Sequence, residues 1–132
     1  LLKFILSNTD IMIVKNKADV PSFLAGDHTQ IQEVLHPKND DIALSYSLAF
    51  ATLEPGKSSL PHILHKSSEL YIILKGTGKV RVGEEVKTVG EGQIVLIPAG
   101  VEQWIENIGR GPLEFYCVVS PPWSEEQEVV KE

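Results

Sequence analysis

Short runs of apolar residues, many alternating with polar ones, recur along the chain and are broken by Gly, Pro, Asn and Asp. No window keeps a 3.6-residue period for more than three turns. That pattern predicts strands rather than helices. Strands are predicted over residues 11–15, 31–36, 42–53, 69–75, 78–82, 85–89, 94–97, 103–107 and 113–119. So many short strands in 132 residues predict an all-β fold, a sandwich or barrel with most edges paired. One short helix is expected after Ser124, where SEEQE reads as a cap and an acidic first turn.

The breaks have turn chemistry of their own. Pro55-Gly56 puts Pro and Gly in the order a type II turn requires. Val82-Gly83-Glu84-Glu85 reads as a tight hairpin. In the run from Glu69, one face carries Glu69, Tyr71 and Ile73 and the other Leu70, Ile72 and Leu74. Both faces are largely apolar, which predicts a strand buried on both sides. Glu69 opens one of those faces, so its carboxylate must be paired, ligated or at a wet rim.

Composition narrows the function classes. Apolar residues make up 42% and charged residues 23%, which fits a globular fold of one domain, residues 1–132. The net charge is -6, with no broad cationic excess to hold a phosphate backbone, so nucleic acid is excluded as an expected partner. A small anion remains compatible with an acidic protein through one locally positive pocket. Cys117 is the sole cysteine, which excludes an intramolecular disulfide and reads as a small buried hydrophobe. The opening LLKFIL is too short and interrupted for a signal peptide or a membrane span, so no membrane partner is expected and a cytoplasmic location is.

His36, His62 and His65 could face a common pocket, whereas His28 sits in a polar loop. His62, His65 and Glu69 fall within eight residues, and two imidazoles with a carboxylate can chelate Mn, Fe, Ni or Zn. By spacing alone, surface histidines and a solvated glutamate fit equally well. His36, Tyr46 and Tyr71 are candidate ligand-pocket residues. The alternative for His36 is a hydrogen-bonded histidine at a strand end, and for the tyrosines a core position with a satisfied hydroxyl.

These residues fall into a pattern that resembles the cupin superfamily. Gly56 is followed by five residues and His62, and Glu69 by six residues and Gly76. Gly92 is followed by five residues and Pro98-Ala99-Gly100, then Gln103 and Asn107. The resemblance implies a cupin-type β-barrel, or double-stranded β-helix (jelly roll). Its motif-bearing core is residues 56–107 and its C-terminal tail residues 120–132. It also implies a homodimer and a metal held by three histidines and a glutamate. His62 and Glu69 match that set. Residue 64 is Leu, and His65 comes one place late, where a regular strand points it to the other face unless the chain bulges. Gln103 stands where the last histidine is expected, and its amide oxygen is the weaker ligand. The expected metal set is therefore His62, Glu69 and Gln103, with His65 joining only at a bulge. The function so implied is a divalent-metal site for a small oxygenated ligand, a sugar or a carboxylate. The alternatives are a metal-free binding or sensor module and a barrel with a vestigial site. Trp104 is expected to point away from the site, and Trp123 to belong to a tail that latches over another surface.

Overall fold

The alternating runs become strands because each buries one row of side chains and leaves the other to solvent. The computed structural model describes residues 12–132, which are almost entirely β. The strands are β1 (Phe23–Leu24), β2 (Gln30–Leu35), β3 (Ser47–Leu53), β4 (His62–Leu64), β5 (Ser68–Lys75), β6 (Thr77–Val82), β7 (Glu85–Gly90), β8 (Ile94–Ile97), β9 (Gln103–Asn107), β10 (Leu113–Ser120) and β11 (Glu128–Val130). They form two antiparallel sheets, in the orders β1-β2-β3-β10-β5-β8 and β11-β4-β9-β6-β7. The inner rows meet in one apolar core. Ala51, Ile73, Leu113 and Phe115 come from the first sheet, and Val80, Val89 and Ile105 from the second. Among the described residues, no helix is long and apolar enough to cross a membrane.

Turn chemistry fixes the register. Lys57 N–H donates to Glu54 O across Pro55-Gly56, with Gly56 at φ 80°, as a type II turn requires. Gly83, at φ 61°, closes the β6–β7 hairpin with Val82 opposite Glu85. Asn107 is buried at the end of β9 and ties the neighbouring loops together. Its amide donates to Leu53 O and Gly111 O, and its Oδ1 accepts from Gly109 N–H.

Several expectations are corrected. Residues 42–46 are not strand, because Pro37–Asp40 forms a helical turn that Asp41 ends at φ 55°. The chain then reaches the sheet only at Ser47. The strand expected over 11–15 begins outside the described residues, and Met12 to Lys15 has no regular structure. β1, β4 and β11 span two or three residues each, too short for a period to show. After Ser124 the chain makes one 3-10 turn, Glu125–Gln127, and the Ser124 side chain makes no capping bond. β5 is buried on one face only: Leu70 and Ile72 are half-buried, Leu74 is exposed, and the adjacent β8 is the sheet edge.

Candidate functional site

Strand alternation decides which side chains meet between the sheets. In β4, His62 and Leu64 point inward, and His62 lies opposite Gln103 of β9. In β5, Glu69 and Tyr71 share the inner face, and Tyr71 lies opposite Cys117 of β10. All six side chains are buried.

Four of them form one polar network. The Tyr71 hydroxyl donates to Gln103 Oε1 at 2.6 Å. The Gln103 amide and the Cys117 thiol both hydrogen-bond the Glu69 carboxyl group. Burial pushes Glu69 up to about 7, and the neighbouring Asp27 and Glu128 push the same way. The His62 ring and the bond from Gln103 pull back without offsetting the burial. Burial likewise holds the Tyr71 hydroxyl and the Cys117 thiol well above their ordinary values, so both stay protonated near neutral pH.

A second cluster converges on His62 from outside the motif strands. The His62 Nδ1–H donates to Leu60 O at 2.7 Å, which leaves Nε2 as the free nitrogen. Nε2 faces Asp27 Oδ2 at 3.5 Å. Asp27 sits in the β1–β2 loop, where its Oδ1 accepts from Thr29 N–H and its carbonyl accepts from Leu60 N–H. That turn uses one carboxylate oxygen and leaves the other for the interior. Glu128 arrives on β11, opposite Leu64, and accepts a hydrogen bond from the Trp123 side chain. Burial raises the Glu128 carboxyl above its ordinary value, and Asp27 raises it further. Ligand atoms of Asp27, His62 and Glu128 all lie within 4.8 Å of one another. One imidazole and two carboxylates suit a divalent cation such as Mn, Fe or Zn. The three residues border a cavity of about 150 Å3 whose other walls include Phe23, Glu69, Phe115 and Trp123.

His62, Glu69 and Tyr71 line this cavity, and Gln103 bonds to Tyr71 and Glu69 behind it. His65 does not join them. β4 runs regularly against β11, with Val130 opposite His62 and Glu128 opposite Leu64, so no bulge turns His65 inward and its side chain is exposed. His36 lies away from the cavity. Its Nδ1 accepts from Lys38 N–H, and its Nε2 bonds Trp123 O at 2.8 Å, so it caps the helical turn and anchors the tail. Tyr46 is 38% exposed and lies outside the cavity wall. Trp104 is half-buried against a shallow outer groove with Lys79 and Arg81. Asp27 and Glu128 are the residues that sequence reasoning missed. Neither has a fixed spacing to the motif histidine, and each is read locally as a turn or tail acid.

The cupin-domain family model matches residues 49–119, more than half of the chain. The chain belongs to the cupin family. This cupin is 35% identical over 121 residues to an uncharacterised protein of Methanocaldococcus jannaschii, covering 91% of this chain and 96% of that one. It is 32% identical over 109 residues to the mannose-1-phosphate guanylyltransferase ManC of Salmonella typhimurium. That match covers 80% of this cupin but 23% of the enzyme, so the chain spans about a quarter of its length. The crystal structure of a predicted oxalate decarboxylase of Thermotoga maritima superposes with a TM-score of 0.74 at 21% identity, over 83% of this cupin and 99% of that chain. At that identity the likeness is one of fold.

Proposed function

We propose that this cupin holds one divalent metal ion between Asp27, His62 and Glu128 and uses it to bind a small oxygenated ligand in the cavity between its sheets. The observation that carries this reading is the pairing of His62 with Asp27. The Nδ1–H donates to Leu60 O, so Nε2 is the ring nitrogen turned toward a carboxylate oxygen 3.5 Å away. Two acceptors facing each other repel unless a proton or a cation lies between them. Glu128 brings a third acceptor to the same place, and a dication satisfies all three at once.

A bound ion supplies Lewis acidity toward ligand oxygens. The chain's own residues do the rest. The Nδ1 bond to Leu60 fixes the His62 ring, and Trp123 orients Glu128. Glu69, with its pKa near neutrality, can hold or release a proton beside the ligand. Gln103, engaged by Tyr71 and Glu69, supports the wall rather than ligating the ion. The likeness to part of a mannose-1-phosphate guanylyltransferase favours a sugar as the ligand. With this reading go a closed jelly-roll barrel, a homodimer and a cytoplasmic location. A stable 14.6 kDa monomer in sedimentation equilibrium at high micromolar concentration removes the dimer.

The test starts with elemental analysis of protein purified without a metal-affinity tag. Chelator-stripped protein is then titrated calorimetrically with Mn, Fe, Ni and Zn. One equivalent should bind, and Asp27→Asn and Glu128→Gln should each weaken binding at least about tenfold. If wild type binds none of the four at up to millimolar concentration, a metal-free binding module takes the place of the metal site.

A further inference from the structure

We infer that the outer face of the six-stranded sheet, where β10, β5 and β8 lie side by side, is the surface on which a second copy of this chain docks, with a two-fold axis running along the strands. This interface rests on the homodimer of the proposed reading and is independent of the metal.

Strand alternation turns Glu69, Tyr71 and Ile73 inward, so Leu70, Ile72 and Leu74 of β5 face outward. On β8, Ile97 is buried, whereas Ile94 and Leu96 face outward and are 62% and 67% exposed. Leu70 lies opposite Val118 of β10 on one side and Leu96 on the other, and Ile72 lies likewise between Tyr116 and Ile94. Two apolar rows therefore cross three strands, and no charged residue interrupts them. The outer face of the five-stranded sheet differs, because it carries Lys79, Arg81 and Glu106 as a solvated sheet face does.

The chain itself covers the other half of the apolar face. Lys17 lies over the Phe50 ring at 3.9 Å, and Gln32 Nε2 donates to Lys17 O and Val20 O, which ties the segment down. Phe50 stands in the same row as Tyr116, Ile72 and Ile94. Under this cap it is 5% exposed, against 62% for Ile94 at the bare end of the row. Neighbouring strands lie about 4.8 Å apart and outward positions about 6.8 Å apart along each, so the bare field spans about 300 Å2 with its side-chain margins. That area suits the apolar centre of an interface burying about 800 Å2 per partner, with a polar rim around it. Anionic lipid is a poor occupant for a chain of net charge -6.

The cap selects the axis. A two-fold across the strands sets cap against cap. A two-fold along the strands places β5 on β5 and β8 of each copy on β10 of the other, about 10 Å apart as packed sheets are. Ile94 then meets Tyr116 and Leu96 meets Val118, and symmetry repeats both contacts. Each cap falls beyond the β8 edge of the other copy and flanks the interface.

Sedimentation equilibrium of the full chain tests the surface. Ile94→Glu and Leu96→Glu each put a charge into the apolar field, and each should raise the dimer Kd at least about 100-fold. Ile94→Thr keeps a β-branched side chain on the strand and should raise it at least about tenfold. Val129→Glu, at a 43% exposed position on the other sheet, should leave it within about threefold. Circular dichroism of every variant is compared with wild type, and Ile94→Thr decides if a glutamate variant does not fold. A dimer of wild-type affinity in the folded Ile94 and Leu96 variants uses another surface, which overturns this interface and leaves the homodimer reading standing. A wild-type monomer at high micromolar concentration overturns both, and the metal titration stands apart from either result.

Discussion

The Tyr71 hydroxyl on one sheet donates to Gln103 Oε1 on the other at 2.6 Å, in a buried setting. Gln103 passes the connection on to Glu69, so its two ends are committed to neighbours within the wall. A glutamine suits this post because one side chain both accepts and donates. The arrangement ties the two sheets together through Gln103 and leaves the proposed metal to the residues around His62. Tyr71→Phe deletes only the donor and strands a buried amide oxygen. We expect a loss of about 1–3 kcal/mol in urea unfolding with Mn2+ affinity within about threefold of wild type. A fall in Mn2+ affinity as large as that of Asp27→Asn would make Gln103 a metal ligand after all.

Two glycines of the first motif should differ sharply. Both have positive φ, 80° at Gly56 and 91° at Gly76. A Cβ at Gly56 meets nothing within 4 Å, whereas one at Gly76 lies 2.6 Å from Pro112 O. Gly56→Ala should therefore cost only the left-handed backbone penalty, about 1–2 kcal/mol. Gly76→Ala adds a clash with backbone that cannot swing aside, and we expect about 3 kcal/mol or more. Scanning calorimetry of the two variants checks the order, and equal melting temperatures would contradict it.

The same contrast explains what was legible in the sequence. β8 (Ile94–Ile97) and β9 (Gln103–Asn107) were readable to the residue, because Gly92 and Pro98-Ala99-Gly100 bound the apolar run of β8 and set off the start of β9. His62 and Glu69 were readable as candidates because their spacing is local. Asp27 and Glu128 were not, because they reach His62 through a two-residue strand and a three-residue strand that leave no periodic trace. His65 illustrates the opposite error. It is adjacent in sequence to an inward position, and one step along an unbulged strand puts it outside.

Glu128 is held in place by its neighbour. Gln127 is buried, and its Oε1 accepts from both Lys66 N–H and Ser67 N–H at 2.9 Å. Its Nε2 donates to Ser67 Oγ. Gln127→Ala removes the partner of two N–H groups and frees β11, which is otherwise tied by three residue pairs. We expect Mn2+ affinity to fall about tenfold or more although no ligand atom is changed, and the amides of residues 128–130 to exchange faster. Gln127→Glu keeps the acceptor and should recover part of the affinity. Unchanged exchange and affinity in Gln127→Ala would mean that β11 docks without this anchor.

Metal-free protein should lose stability as pH rises through the acid to neutral range. Glu69 ionises near 4.5 in an unfolded chain and near 7 in the folded one, because burial opposes its charge. Below about 4.5 the group is protonated in both states and the folded chain carries no penalty. Between the two values the unfolded chain releases the proton and the folded chain retains it, so unfolding becomes easier with each step in pH. Above about 7 both are ionised and the contribution levels off, by then of the order of 3 kcal/mol lower. Glu128, raised for the same reason, should steepen the fall. Other carboxylates titrate in this range, so the comparison is with Glu69→Gln, which has no proton to lose there. Urea midpoints in chelator at pH 4.5, 6 and 8 should diverge, with the variant gaining on wild type as pH rises. Parallel midpoints across that range would show that the Glu69 charge is accommodated without cost, which would contradict the burial argument.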